Sequence, residues 1–189
     1  KLFQKLETSI SYLFSNSMNE KKFLKNRFNK KKITVVDIGA NVGSYLDLVQ
    51  NNLEVKRIFA FEPSKTAYKI LKNNYKNNKI VLENFALSNN SKTRKFFEYD
   101  LISQSSFYKI TNNKNPFNKI NKIYKTKTIK LDDYFKKKNN KIDICKIDIQ
   151  GEELNVLHGM KKLLKKNKIN LIKLEITIRN DYGNNRNQF

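Results

Sequence analysis

The chain has 189 residues, 39% of them hydrophobic, and its 39 Lys and Arg against 17 Asp and Glu give a net charge of +22. That length suits one α/β domain burying roughly 70% of its unfolded surface. No apolar run approaches the ~20 residues that span a bilayer, and no secretory leader is expected. The charge would ordinarily suggest a nucleic-acid partner, but only five of the cations are arginine. Abundant Lys, Asn, Ile, Phe and Tyr are what an A/T-rich coding sequence favours, which explains the charge at least as well.

Residues 2–14 open the chain with Leu2, Phe3, Leu6, Ile10, Leu13 and Phe14 at helical spacing, which predicts an amphipathic helix. A weaker helical pattern through Phe23, Leu24 and Phe28 follows, so residues 1–32 read as a helical extension and 33–189 as the main domain. From residue 33 the pattern changes to short, β-branched, uninterrupted apolar runs. Strands are predicted at Ile33–Ile38, Arg57–Phe61, Ile80–Phe85, Ile142–Ile147 and Asn170–Ile176, with helices near 44–51, 64–76 and 152–166. Unalternated strands belong to a parallel sheet covered on both faces, so the expected fold is α/β, a doubly wound, mostly parallel sheet. Between the third and fourth strands, "TRKFFEYD" and "IYKTKTIKL" alternate and predict an inserted antiparallel ribbon with "NNKNPFNKIN" as its exposed loop. Such an insertion either carries substrate contacts or covers a sheet edge. Cys145, the one cysteine, sits inside the fourth strand and reads as a buried small hydrophobe, which suits a reducing, cytoplasmic setting.

The stretch "VVDIGANVGSY" delivers a two-glycine loop at the carboxyl end of the first strand, where open parallel sheets bind ligands. Its spacing, Asp37, Gly39, Asn41, Gly43, is neither G-x-G-x-x-G nor a phosphate-cradling P-loop. An acid at that tip repels phosphate and suits an ammonium group. A second acid, Glu62, ends the next strand, where a carboxylate accepts hydrogen bonds from both hydroxyls of a ribose. Each acid alone also reads as a strand-end capping group. Together they favour S-adenosyl-L-methionine, which combines an ammonium, an unphosphorylated ribose and a positive sulfonium.

With "IFAFEPS", "ENFALSN", "KTIKLDDYF", "DICKIDIQGEELNVLHGM" and "IKLEIT" following in order, residues 33 to 177 resemble the FkbM family of S-adenosylmethionine-dependent methyltransferases. The resemblance implies a class I methyltransferase (Rossmann-like) fold. It also implies that Asp37, Gly39, Asn41 and Gly43 line the methionine end of the cofactor, that Glu62 with Pro63 holds the ribose, and that Asn84, Phe85 and Ala86 border the adenine. The family often has glutamate where Gln150 stands. Its chains normally continue past the fifth strand, so the C-terminal strands are expected to be truncated here.

A hydroxyl acceptor must lose a proton during methyl transfer, which directs attention to acids near the fourth strand. Asp148 reads as the base or orienting group, or else as an N-cap. Glu153 matches the family's second acid, or satisfies the helix dipole. Glu175 is a further candidate, whereas His158 reads as a packed or surface residue. No cluster of His, Cys and acids has zinc-ligand spacing, and an acidic set that holds Mg²⁺ stays open. The expected activity is O-methylation of a small molecule or glycan. The alternatives are an RNA or other nucleic-acid methyltransferase, against which the absence of an N-P-P-[YF] motif counts, and a non-catalytic binding module.

Overall fold

Six consecutive buried residues in each of two short runs, "ITVVDI" and "IDICKI", require a sheet that is covered on both faces. The computed structural model of the protein describes residues 17–110, 119–138 and 140–175. The helix expected over 2–14, most of the "NNKNPFNKIN" loop and the end of the fifth predicted strand lie outside the described residues.

In chain order the first half comprises α1 (Ser17–Arg27), β1 (Ile33–Ile38), α2 (Ser44–Asn52), β2 (Val55–Phe61), α3 (Lys65–Asn74) and β3 (Ile80–Glu83). There follow β4 (Ala86–Leu87), β5 (Lys92–Tyr99), a single 3-10 turn at Ile102–Gln104, β6 (Ile120–Ile129) and α4 (Leu131–Tyr134). The last elements are β7 (Ile142–Ile147), α5 (Glu153–Gly159), α6 (Lys161–Lys165) and β8 (Ile169–Leu174). Five strands form a parallel sheet in the order β3-β2-β1-β7-β8, so the order reverses between β1 and β7. The expected doubly wound α/β architecture is what is observed.

Alternate residues of each strand feed two cores. Val35, Ile58 and Ile144 pack under Leu24 of α1 and Phe28 just after it, Leu46 and Val49 of α2 and Leu71 of α3. On the other face Val36, Phe59, Phe61 and Ile147 meet Leu131, Phe135, Val156 and Met160. The ribbon is present and larger than expected: β5 and β6 are antiparallel, and β4 joins β6 in parallel to make a second, three-stranded sheet. Glu98 on β5 ties this sheet to α3, accepting hydrogen bonds from Ser64 Oγ (2.8 Å), Thr66 Oγ1 (2.6 Å) and Tyr124 Oη (2.7 Å).

Two boundaries differ from the sequence reading. The third strand stops at Glu83, because the Asn84 amide turns back to donate to the Glu62 carbonyl (2.8 Å), and Ala86 then enters the second sheet. The single helix expected over 152–166 is two. Gly159 packs so tightly on Ser88 that a Cβ there would lie 2.1 Å from its carbonyl oxygen, and Met160 leaves helical geometry. Asp132 then caps the restarted helix, accepting the backbone N–H groups of Lys162 (2.8 Å) and Leu163 (2.9 Å). No helix among the described residues is long and apolar enough to cross a membrane.

Candidate active site

Beyond the carboxyl ends of β1 and β7, where the strand order reverses, lies a cavity of about 700 Å³. That is where an open parallel sheet binds ligands, and sites of roughly 300–1,000 Å³ are usual for small molecules. Gly39 and Asn41 line it from the β1 loop, Glu62 and Pro63 from the end of β2, and Ala86 and Leu87 from β4. Asp148 to Gln150, Glu152, Glu175 and residues 102–107 complete it.

Glycine is required where the two strand tips meet. Gly39 has φ +80°, and a Cβ there would lie 1.9 Å from the Asp148 carbonyl oxygen. The N–H groups of Gly39 and Ala40 both donate to the Phe61 carbonyl, at 3.0 and 3.1 Å, which fixes the loop against β2. Asn41 then adopts φ +49° and turns its N–H onto Glu62 Oε2 at 2.7 Å, while the Ser64 N–H donates to Oε1 at 2.7 Å. Burial pushes the Glu62 carboxyl up to about 7, against the pull of these two donors. Each of its oxygens keeps a second lone pair for a ligand.

The lining is acidic. Glu62, Asp148, Glu152 and Glu175 all line the cavity, and among the described residues no Lys or Arg does, in a chain of net charge +22. Glu175 follows β8, its N–H donating to the Ile147 carbonyl at 3.0 Å. Burial and then the hydrogen-bonded Asp148 raise its pKa. Glu152, only 2% exposed, accepts from Ser88 Oγ (2.7 Å) and the Tyr108 hydroxyl and pairs with Arg94 (2.8 Å). The Arg94 guanidinium stacks over the Phe107 ring at 4.2 Å. Ser106 Oγ donates to the Gln150 carbonyl at 2.6 Å, so the segment after β5 is bonded to the segment after β7. No group of three His, Cys, Asp or Glu residues among those described could hold a metal ion.

The family model described as the Methyltransferase FkbM domain matches residues 37–189. The chain belongs to the FkbM methyltransferase family. A comparison with curated proteins gave no match. Among solved structures, the FkbM chain is similar to a methyltransferase FkbM from Methylobacillus flagellatus KT, at 16% identity and a TM-score of 0.50, with 89% of this chain and 46% of that one covered. The FkbM chain therefore spans about half the length of that relative. A putative S-adenosylmethionine dependent methyltransferase from Listeria monocytogenes is also similar, at 11% identity and a TM-score of 0.31, over 64% of this chain and 80% of that one.

Of the residues that the sequence singles out in this FkbM domain, Gly39, Asn41, Glu62, Pro63, Ala86 and Asp148 converge on the cavity. Asp37, Gly43, Phe85 and Glu153 stand behind its lining. Asp37 is 0% exposed, and the ammonium beside it belongs to Lys146 of the same chain, 3.2 Å from Oδ1. Gly43, at φ +104°, receives the Tyr75 ring, and Phe85 packs on Phe61 with ring centroids 5.6 Å apart. Glu153 folds back toward the Gly151 N–H at 3.4 Å, and burial pushes its carboxyl up to about 7. His158 is exposed on α5. Lys146 and Glu152 were not anticipated. For Lys146 a signal existed, since a lysine inside an otherwise apolar buried strand needs a partner.

Proposed function

We propose that this FkbM domain binds S-adenosyl-L-methionine and transfers its methyl group to a hydroxyl of a small molecule or glycan. The observation that carries this reading is a cavity lined by Glu62, Asp148, Glu152 and Glu175 with no Lys or Arg among the described lining residues. Arg94 offsets Glu152 and Lys146 offsets Asp148, which leaves the carboxyls of Glu62 and Glu175 to disfavour phosphate and suit a cationic ligand; this cofactor is cationic and carries no phosphate.

When bound, the cofactor supplies an electrophilic methyl group on a sulfonium. The chain supplies position and proton handling. Glu62 has one lone pair of each oxygen committed to backbone N–H groups and would accept ribose hydroxyls with the others. Gly39 and Asn41 give the backbone shape that admits the ligand, and alignment for in-line displacement can remove as much as ~7–11 kcal/mol of a barrier. The Asp148–Glu175 pair would orient the acceptor hydroxyl and take its proton, a contribution of roughly 10²–10⁴-fold. Ser106 and its neighbours after β5, which also line the cavity, would face the acceptor.

Isothermal titration with S-adenosylhomocysteine tests the reading. Binding is expected, with a loss of at least about tenfold in Glu62→Gln, the scale of one charge-assisted hydrogen bond. A parent protein that does not bind sinks it. The charge of +22 gives the nucleic-acid alternative its one support. Methyl transfer to RNA, with none to neutral hydroxyl acceptors, would replace the leading reading by that one.

A further inference from the structure

Lys146 is a lysine in the middle of a parallel sheet, 6% exposed, on the second-to-last residue of β7. A buried ammonium is costly unless several acceptors surround it. It has three, at or just past the ends of two strands. Nζ donates to the Gly39 carbonyl at 2.9 Å, lies 3.0 Å from Asp148 Oδ2 and lies 3.2 Å from Asp37 Oδ1. Asp37 and Lys146 are directly paired positions in the β1–β7 ladder, so both side chains rise from the same face at the strand reversal.

The surroundings are built to keep the charge in place. The Tyr45 ring of α2 neighbours two ammonium groups, with Lys146 Nζ 5.7 Å and Lys173 Nζ 4.9 Å from its centroid. Lys173 of β8 is itself held by Glu20 of α1 at 2.8 Å. Glu62 beyond β2 and Glu175 beyond β8 also feel the Lys146 charge. Asp37 is fully buried, and the ammonium of Lys146, 3.2 Å from its Oδ1, is what offsets its charge. Burial alone would lower the Lys146 pKa, but Asp37 and Asp148 outweigh it and keep the group charged.

We infer that Lys146 is a positioning residue, whose ammonium clips the Gly39 carbonyl on the β1 loop to the Asp148 carboxylate at the end of β7. Asp37, on this view, acts through Lys146 and does not touch the ligand. The inference rests on the proposed function only in taking Asp148 and the Gly39 loop as parts of a working site.

The test compares the parent with Lys146→Met and with Lys146→Met/Asp37→Asn. The single change leaves Asp37 buried and uncompensated and endangers folding. The double change removes both charges together and is expected to preserve the fold. Amide hydrogen exchange in the double variant should accelerate about tenfold at Asn41 and Asp148, the scale of one lost charge-assisted hydrogen bond. Exchange at Ile142, at the far end of β7, should not change. Affinity for S-adenosylhomocysteine should fall by about the same factor. Unchanged exchange at Asn41 and Asp148, or equal acceleration throughout the sheet, overturns the inference, the second because it marks a purely structural residue. If the parent protein fails to bind S-adenosylhomocysteine, the cofactor reading fails, and the exchange measurement still decides the role of Lys146.

Discussion

Glu62 accepts the backbone N–H of Asn41 at 2.7 Å, so the end of one strand holds the loop that leaves its neighbour. The same carboxylate lines the cavity. Loop geometry and ligand recognition thus depend on one side chain.

Glu62→Gln should therefore do two things. It puts an amide NH2 where one of two backbone N–H groups needs an acceptor, costing about 1–3 kcal/mol of stability by chemical denaturation. It also removes a pH dependence. The folded-state pKa of Glu62 is raised from 4.5 to about 7, so its protonated form is favoured in the folded protein. That contribution is complete below the unfolded pKa and is lost as pH rises through about 7. Subtracting the variant's stability curve from the parent's should give a difference that declines between about pH 5 and pH 7.5. A flat difference would refute the assignment.

Glu98 should show the opposite sign. Burial pushes its carboxyl up, but the hydroxyls of Thr66, Tyr124 and Ser64 together hold it below its ordinary value. Its contribution is present above the unfolded pKa and is lost as pH falls through the folded one. Glu98→Gln should cost about 2–4 kcal/mol at neutral pH and less in acid, because three hydroxyls lose an ionised acceptor. Urea denaturation at pH 7 and pH 3 reads both values.

The two glycines of the β1 loop should differ in their tolerance of a methyl group. Gly39→Ala drives a Cβ into the Asp148 backbone, 1.9 Å from its carbonyl oxygen, and backbone cannot step aside. A loss of about 3 kcal/mol or more is expected. Gly43→Ala meets the ring of Tyr75 at 2.4 Å, a half-buried side chain that can swing outward. There about 1–3 kcal/mol of backbone strain remains. Thermal melting of the two variants, with Gly39→Ala melting lower, checks the order.

Cys145 should resist thiol reagents in the folded protein. It is fully buried in β7, and burial together with the nearby Asp37 charge pushes its thiol up. The thiolate is the reactive form. Labelling by a disulfide reagent should follow global unfolding in denaturant, and rapid labelling of the native protein would contradict the placement.

Much of the framework is legible in the chain itself. "ITVVDI" and "IDICKI" lack alternation, and only a sheet covered on both faces accepts such strands. Asp37, Glu62 and Asp148 end or follow three of those strands, and strands in one parallel sheet deliver their ends to one edge. Periodicity also exposes α1 and the turn after it through Leu24 and Phe28, both buried in the core that contains Ile33 and Val35 of β1.

Other features were decided by contacts far apart in sequence. The break at Met160 depends on Gly159 meeting Ser88 and on Asp132 capping Lys162 and Leu163. Helical propensity alone runs through that point. Whether Glu152 or Glu153 faces the cavity is a question of helix phase, settled by Ser88, Arg94 and Tyr108 converging on Glu152. A sequence reading that expects an acid to greet a ligand ammonium could not place Lys146 beside Asp37. That neighbour comes from the ladder register between strands 109 positions apart, Asp37 opposite Lys146. The sequence by itself determined which residues stand at strand ends and with what charge, because both follow from local pattern. Tertiary structure alone decided which of those charges neutralise one another and which remain to line the cavity, because electrostatic pairing in a buried sheet depends on distances of about 3 Å that only strand register sets.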